Sequence, residues 1–194
     1  MRRNVFVLVL LTIMLVWFFT GCEMGNRNVI SQARAADGFN AVTLDGVGNV
    51  IIHPGENYRV VVITDSNLQD RVLTTINGNT LRISQRSGSF KPTELTIDVY
   101  MPELKNISLT GAGNFTINSG NGFDLDLSLS GSGNINAENF QVQNVNIKLS
   151  GSGNARIWVE NFLNGNLSGV GNILYKGNPT ININRTGVGN IKPL

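Results

Sequence analysis

Leu129-Ser130-Gly131-Ser132-Gly133-Asn134-Ile135 and Leu149-Ser150-Gly151-Ser152-Gly153-Asn154-Ala155 are near-copies of one heptapeptide, set one after the other in the second half of the chain. Its Gly-x-Gly-Asn core returns at Gly46-Val47-Gly48-Asn49, Gly111-Ala112-Gly113-Asn114, Gly169-Val170-Gly171-Asn172 and Gly187-Val188-Gly189-Asn190. From Gly111 onward the copies open at Gly111, Gly131, Gly151, Gly169 and Gly187, an almost even spacing that shortens slightly after Gly151. A period of this size is the mark of structural units stacked on one another.

The flanking residues give each unit its faces. Two places before the first glycine stand Leu44, Leu109, Leu129, Leu149, Leu167 and finally Arg185; four places before stand Val42, Ile107, Leu127, Ile147, Gly165 and Ile183. Polar residues alternate with them, in the rows Asn106, Asp126, Asn146, Asn164, Asn182 and Ser108, Ser128, Lys148, Asn166, Asn184. Period-two alternation is that of a strand with one buried face. After each Asn come Val50, Phe115, Ile135, Ala155, Ile173 and Ile191, so a second inward-pointing strand follows the corner. These patterns predict an all-β parallel β-helix, or β-solenoid, with about 18–20 residues per coil.

Glycine suits such a corner because it reaches positive φ freely, and Asn tolerates the left-handed region. Stacked in register, Asn49, Asn114, Asn134, Asn154, Asn172 and Asn190 would form an amide ladder at ~4.8 Å spacing. The oxygen-bearing side chains of Asp45, Thr110, Ser130, Ser150, Ser168 and Thr186 are placed to hydrogen-bond the bend. A dinucleotide loop would need Gly-x-Gly-x-x-Gly feeding a helix. A calcium-binding nonapeptide repeat would need Asp at a period of nine. The chain has neither pattern, so no metal and no cofactor is expected.

Met1-Arg2-Arg3-Asn4 followed by the apolar run Val5 to Thr20 reads as an export leader. Phe19-Thr20-Gly21-Cys22 resembles the lipobox of bacterial lipoproteins, with Phe19 where Leu is usual; the resemblance makes residues 1–22 a signal peptide ending at a lipidated Cys22. An uncleaved anchor is the alternative. Residues 23–37 read as a polar linker and 38–194 as one domain. Without Arg2 and Arg3, the 15 basic residues become 13 against 13 acidic ones. That balance gives no electrostatic case for nucleic acid.

Between Phe39 and Glu103 the pattern is less regular. Tyr58 to Asp65 is strand-like, Ser66 to Val72 suits one helical turn, and Thr75 to Leu81 carries an Asn77-Gly78 hairpin signal. The long gap between Gly46 and Gly111 has room for about three further coils. Arg185 in the leucine column is expected to cap the last coil, and Pro193 to block further pairing.

The leader, the Gly46-Val47-Gly48-Asn49-Val50 opening, Asn77 to Ile83, Met101-Pro102-Glu103-Leu104 and the serial Leu-Ser-Gly-Ser-Gly-Asn units together resemble the bacterial "putative auto-transporter adhesin, head GIN domain" family, over Gly38 to Leu194. The resemblance implies a β-helical domain on envelope proteins, often lipoproteins. It supplies no catalytic residues.

The residues themselves offer little chemistry. His53, the one histidine, sits beside Pro54-Gly55 and reads as a solvated turn residue. Asp124 and Asp126 alternate with Phe123, Leu125 and Leu127, which are read as inward, and share an outer face at roughly the carboxylate spacing of a glycosidase. A convex strand face supplies no cleft for them. Arg156 and Trp158 have outward parity and are the candidate glycan contact, set against a reading in which the Trp158 ring packs under the Phe162 loop. The leading expectation is a non-catalytic, lipid-anchored protein of the outer membrane or cell surface, using flat Asn/Ser faces to contact a surface glycan or protein. A periplasm-facing scaffold or sensor of envelope stress is the alternative, and a polysaccharide-acting enzyme the third reading.

Overall fold

The structure, a computed structural model, describes residues 22–194; the leader, through Gly21, lies outside them. The strands are β1 (Glu23–Met24), β2 (Val29–Arg34), β3 (Ala41–Asp45), β4 (Val47–Pro54), β5 (Arg59–Asp65), β6 (Val72–Asn77), β7 (Thr80–Gln85), β8 (Phe90–Lys91) and β9 (Leu95–Met101). They continue as β10 (Asn106–Leu109), β11 (Ala112–Ile117), β12 (Gly120–Leu129), β13 (Ser132–Leu149), β14 (Ser152–Leu167), β15 (Ile173–Lys176), β16 (Thr180–Arg185) and β17 (Ile191–Pro193). The fold is all-β. Fifteen strands share one nearly closed, barrel-like sheet, and β1 and β8 form a separate pair.

The repeats stack in the register that their spacing predicts. Ahead of the corners, Leu44, Leu109, Leu129, Leu149, Leu167 and Arg185 are parallel-paired neighbours in that order. Beyond the corners, Val50, Phe115, Ile135, Ala155, Ile173 and Ile191 form the second column. The five leucines are fully or almost fully buried, each stabilising by about 1.5–3 kcal/mol through loss of apolar surface. Strand β13 carries the chain from one corner to the next, with register shifts between Ala137 and Gln141 and between Val142 and Asn144. These shifts fit the longer coil of β13 onto the shorter coil of β14.

The corners work differently from expectation. Only Gly48, Gly133, Gly153 and Gly171 among the corner glycines have clearly positive φ, and none of the corner Asn residues does. What demands glycine is proximity. A Cβ on Gly131 would lie 1.9 Å from the Gly111 carbonyl oxygen, one on Gly151 2.0 Å from that of Gly131, and one on Gly153 1.6 Å from that of Gly133. Asn is required for its acceptor. Asn114 Oδ1 accepts from both the backbone N–H (3.2 Å) and Nδ2 (3.1 Å) of Asn134. The same double bond joins Asn134 to Asn154, Asn154 to Asn172 and Asn172 to Asn190. Of the hydroxyl row, Thr110 Oγ1 bonds the Leu44 carbonyl and Asp45. At the later corners it is instead the backbone N–H groups of Ser130, Ser150 and Ser168 that donate to the leucine carbonyls below.

The Gly46–Gly111 gap holds one further rung, not three. Strand β11 pairs directly with β4 and β10 with β3, so the two corners are neighbours in space. On the other side of this first rung lie β7, parallel to β3, and β9, parallel to β4. Antiparallel β6 then covers β7, and β5 and β2 cover β9. Excursion and return within one chain allow antiparallel partners, so the sheet ends in β2 and β6 and not in further identical parallel rungs. The β6–β7 hairpin turns on Gly78-Asn79, with Gly78 at φ 60°, and the expected helical turn is a 3-10 turn at Gln69–Arg71.

Residues 23–37 are likewise not a free linker, because β1 pairs with β8 and β2 with β5. Buried Asp65 holds this segment: its carboxylate accepts from the backbone N–H of Arg27 (2.7 Å) and of Thr93 (2.6 Å). At the far end, Arg185 lies over Leu167 and donates to the Gly189 carbonyl at 2.9 Å, the cap its column position implies.

Gly153→Ala should cost more than ~3 kcal/mol, because the added methyl meets backbone that cannot move aside. Gly55→Ala, with φ +84 but open space around it, should cost only ~1–2 kcal/mol. Denaturant midpoints measure both; equal losses would mean that close stacking is not the constraint.

Burial pushes the Asp65 carboxyl up, but its hydrogen bonds to Thr93 and Arg27 outweigh this and leave the pKa below its ordinary value. A depressed pKa means stabilisation that is present above the ordinary aspartate value of ~3.9 and is lost as pH falls through the folded value. Hydrogen exchange at β2 amides should therefore accelerate below about pH 4 before the leucine-column strands exchange, and Asp65→Asn should remove that acid step.

Candidate polar groove on the outer face

The outward rows ahead of the corners line a groove of about 600 Å³. One file across the rungs is Asn106, Asp126, Asn146, Asn164 and Asn182; beside it runs Ser128, Lys148, Asn166 and Asn184. Strict alternation puts these side chains outside because the leucine and isoleucine columns occupy the inside. Gly165 takes one inward position at φ +143, and a Cβ there would lie 1.8 Å from the Ile147 carbonyl oxygen, so the two rungs approach closely at the groove floor.

The two carboxylates of this face are engaged in parallel. Asp124 Oδ1 accepts from Asn144 Nδ2 at 2.8 Å and Asp126 Oδ1 from Asn146 Nδ2 at 3.0 Å. Both are exposed, and each is bonded to the amide of the next rung rather than poised against the other. Phe123, expected to point inward, is 70% exposed. Gly122 pairs with buried Val142 and buried Leu125 with buried Val145, so inward positions are three apart here instead of two; the pleat breaks at Phe123–Asp124 and the ring turns out. It lines a second depression, of about 480 Å³, that shares Asp126 with the groove.

Phe162 is a residue that the alternation could have revealed. It has the same outward parity as Asn164 and Asn166, stands in the file Asp124, Asn144, Phe162, Thr180, and is 51% exposed. An aromatic therefore sits next but one in sequence to the groove amides.

The residues picked from the sequence as a glycan contact lie after the corners, away from the groove residues, which precede them. Arg156 is ion-paired to Glu138 at 3.0 Å. Trp158 is half-buried: Lys176 Nζ sits 3.6 Å from its ring centroid, and its Nε1 donates to Glu160 Oε1 at 2.7 Å. One ring face is thus covered by a cation–π contact. His53 is not a free turn residue either. It stacks on Tyr100 at 4.1 Å, with the Arg59 guanidinium 3.7 Å from the Tyr100 ring, and Asn118 Nδ2 donates to its Nδ1 at 3.0 Å. Cys22 is exposed beside β1. Among the described residues no three His, Cys, Asp or Glu groups converge as metal ligands.

The family model described as "Putative auto-transporter adhesin, head GIN domain" matches residues 38–125 and 118–179. No curated protein matches the chain. Among solved structures, a "putative adhesin" from Bacteroides fragilis is 22% identical, with the alignment covering 88% of this chain and 99% of that one at a TM-score of 0.56. This likeness is one of fold. A "putative adhesin" from Parabacteroides distasonis aligns at 19% identity over 90% and 100% of the two chains, with a TM-score of 0.44. A "putative lipid binding protein" from the same species aligns at 21% over 90% and 100%, with a TM-score of 0.46. With its repeated corners, its leucine column and a model match spanning most of its length, the chain belongs to the putative auto-transporter adhesin, head GIN domain family.

Proposed function

We propose that this protein is a non-catalytic, lipid-tethered envelope module that makes surface contacts through the polar groove. In this reading the stack is a parallel β-solenoid, with Cys22 carrying the lipid at the end where β1 and β2 lie. The in-register parallel pairing of successive repeats supports the solenoid, and the lipobox-like Phe19-Thr20-Gly21-Cys22 supports the tether. The observation that carries the surface role is the groove itself: an open, polar face repeated over five rungs, whose carboxylates are tied to neighbouring amides rather than poised for proton transfer. Family membership agrees with a surface-interaction role.

Protease treatment of intact cells carrying the full chain should digest the domain, and Cys22→Ala should release it from the membrane fraction. Deleting the gene should lower cell attachment several-fold, with recovery on complementation. Protection from protease with attachment unchanged would replace this reading by the periplasmic scaffold or sensor. Turnover of a glycan that disappears in Asp126→Asn would replace it by an enzyme.

A further inference from the structure

We infer that the groove binds a neutral oligosaccharide chain laid along the stack axis, one sugar to a rung. The inference rests on the surface-contact reading above and gives it a ligand class.

The first ground is a contrast between two sets of asparagines. Those at the corners are bonded to one another, each to the next along the stack. In the groove only Asn146 is engaged, as donor to Asp126. Asn106, Asn164, Asn166, Asn182 and Asn184 make no side-chain hydrogen bond to any described residue. Each leaves an N–H donor and a carbonyl acceptor facing the groove, the pair that a sugar hydroxyl, itself donor and acceptor, satisfies at once.

Charge and shape narrow the class. Asp126 and Lys148 are the only ionisable groups among the described residues lining the groove, so its charge cancels and neither an anionic nor a cationic polymer is favoured. Over all its rungs but the last, β16, the groove lies on a sheet face whose backbone groups are spent on the neighbouring rungs, so a peptide strand has no edge to pair with along most of its length. Phe162 stands half-exposed beside Asn164, and Phe123 beside Asp124, giving apolar platforms on which the C–H face of a pyranose can be buried. Neighbouring rungs are ~4.8 Å apart, close to the length of one sugar in an extended chain. The unbonded amides stand on the first, fourth and fifth rungs, with Asp126, Ser128 and Lys148 on the two between, so each unit of such a chain meets a polar side chain.

The test is titration of the full-length protein, in detergent micelles, with neutral oligomers of glucose, N-acetylglucosamine, mannose and galactose from disaccharide to octasaccharide. For at least one series, affinity should rise about tenfold or more from disaccharide to pentasaccharide and then level off, as expected when added units gain contacts until the five rungs are filled. Phe162→Ala and the double change Asn164→Ala/Asn182→Ala should each weaken that binding by about tenfold with the thermal midpoint unchanged. Trp158→Ala should leave it intact. Binding lost in Trp158→Ala but kept in Phe162→Ala, or a preference for uronic-acid oligomers or peptides, would overturn the inference. So would no binding by any neutral series; if deletion still lowered cell attachment, the surface role would stand and only the ligand class would fall.

Discussion

The contact that the rest of the molecule depends on is glycine against glycine at the corner. The carbonyl oxygen of one corner glycine occupies the space where the next rung's Cβ would lie, at 1.6–2.2 Å over the last three rungs. Any side chain there would hold adjacent rungs apart. The parallel hydrogen bonds would then lengthen, and the leucine and isoleucine columns would lose contact with their neighbours above and below. Close approach at one point of the perimeter is what lets the whole perimeter pair in register.

Where the repeat stops, other groups substitute for it. The rung formed by β7 and β9 has no Gly-x-Gly-Asn, and its place under the first corner is taken by Gln85. That side-chain amide accepts from Val47 N–H at 2.8 Å and donates to the Val47 carbonyl at 2.9 Å, as a peptide group would. Beyond it, antiparallel β6, β5 and β2 close the end, held by Asp65 and by Gln69, whose amide reaches the Ile30 and Val62 carbonyls. The opposite end is finished more lightly, by Arg185 over Leu167 and by Pro193, which lacks an N–H to donate. Edges managed in these ways resist unprogrammed strand addition.

Asparagine has two uses in this protein, separated by position and not by type. At the corner the backbone turns away from its neighbour, and the side-chain oxygen supplies the missing acceptor for the next Asn N–H. On the straight strands ahead of the corner the backbone pairs with the neighbouring rungs, on one side only at β16, and the side chains of Asn106, Asn164, Asn166, Asn182 and Asn184 bond no described residue and remain available to solvent or ligand. A stacked repeat thus produces one column of asparagines bonded to each other and another left mostly unbonded.

The sequence by itself determined the all-β class, the column register, the amide ladder and the Arg185 cap, because each is a local period repeated at a nearly constant interval. A residue one period further along is a spatial neighbour, so contacts could be read as spacings. Phe162, in parity with Asn164 and Asn166, could have been placed on the groove side in the same way. Only the tertiary structure decided that Gly46 and Gly111 are adjacent despite the long excursion between them, that 23–37 is built into the sheet, that Phe123 turns outward and that Lys176 covers Trp158. These depend on antiparallel returns, pleat breaks and cross-rung side-chain contacts, which carry no period and so leave no trace in the spacing of residues.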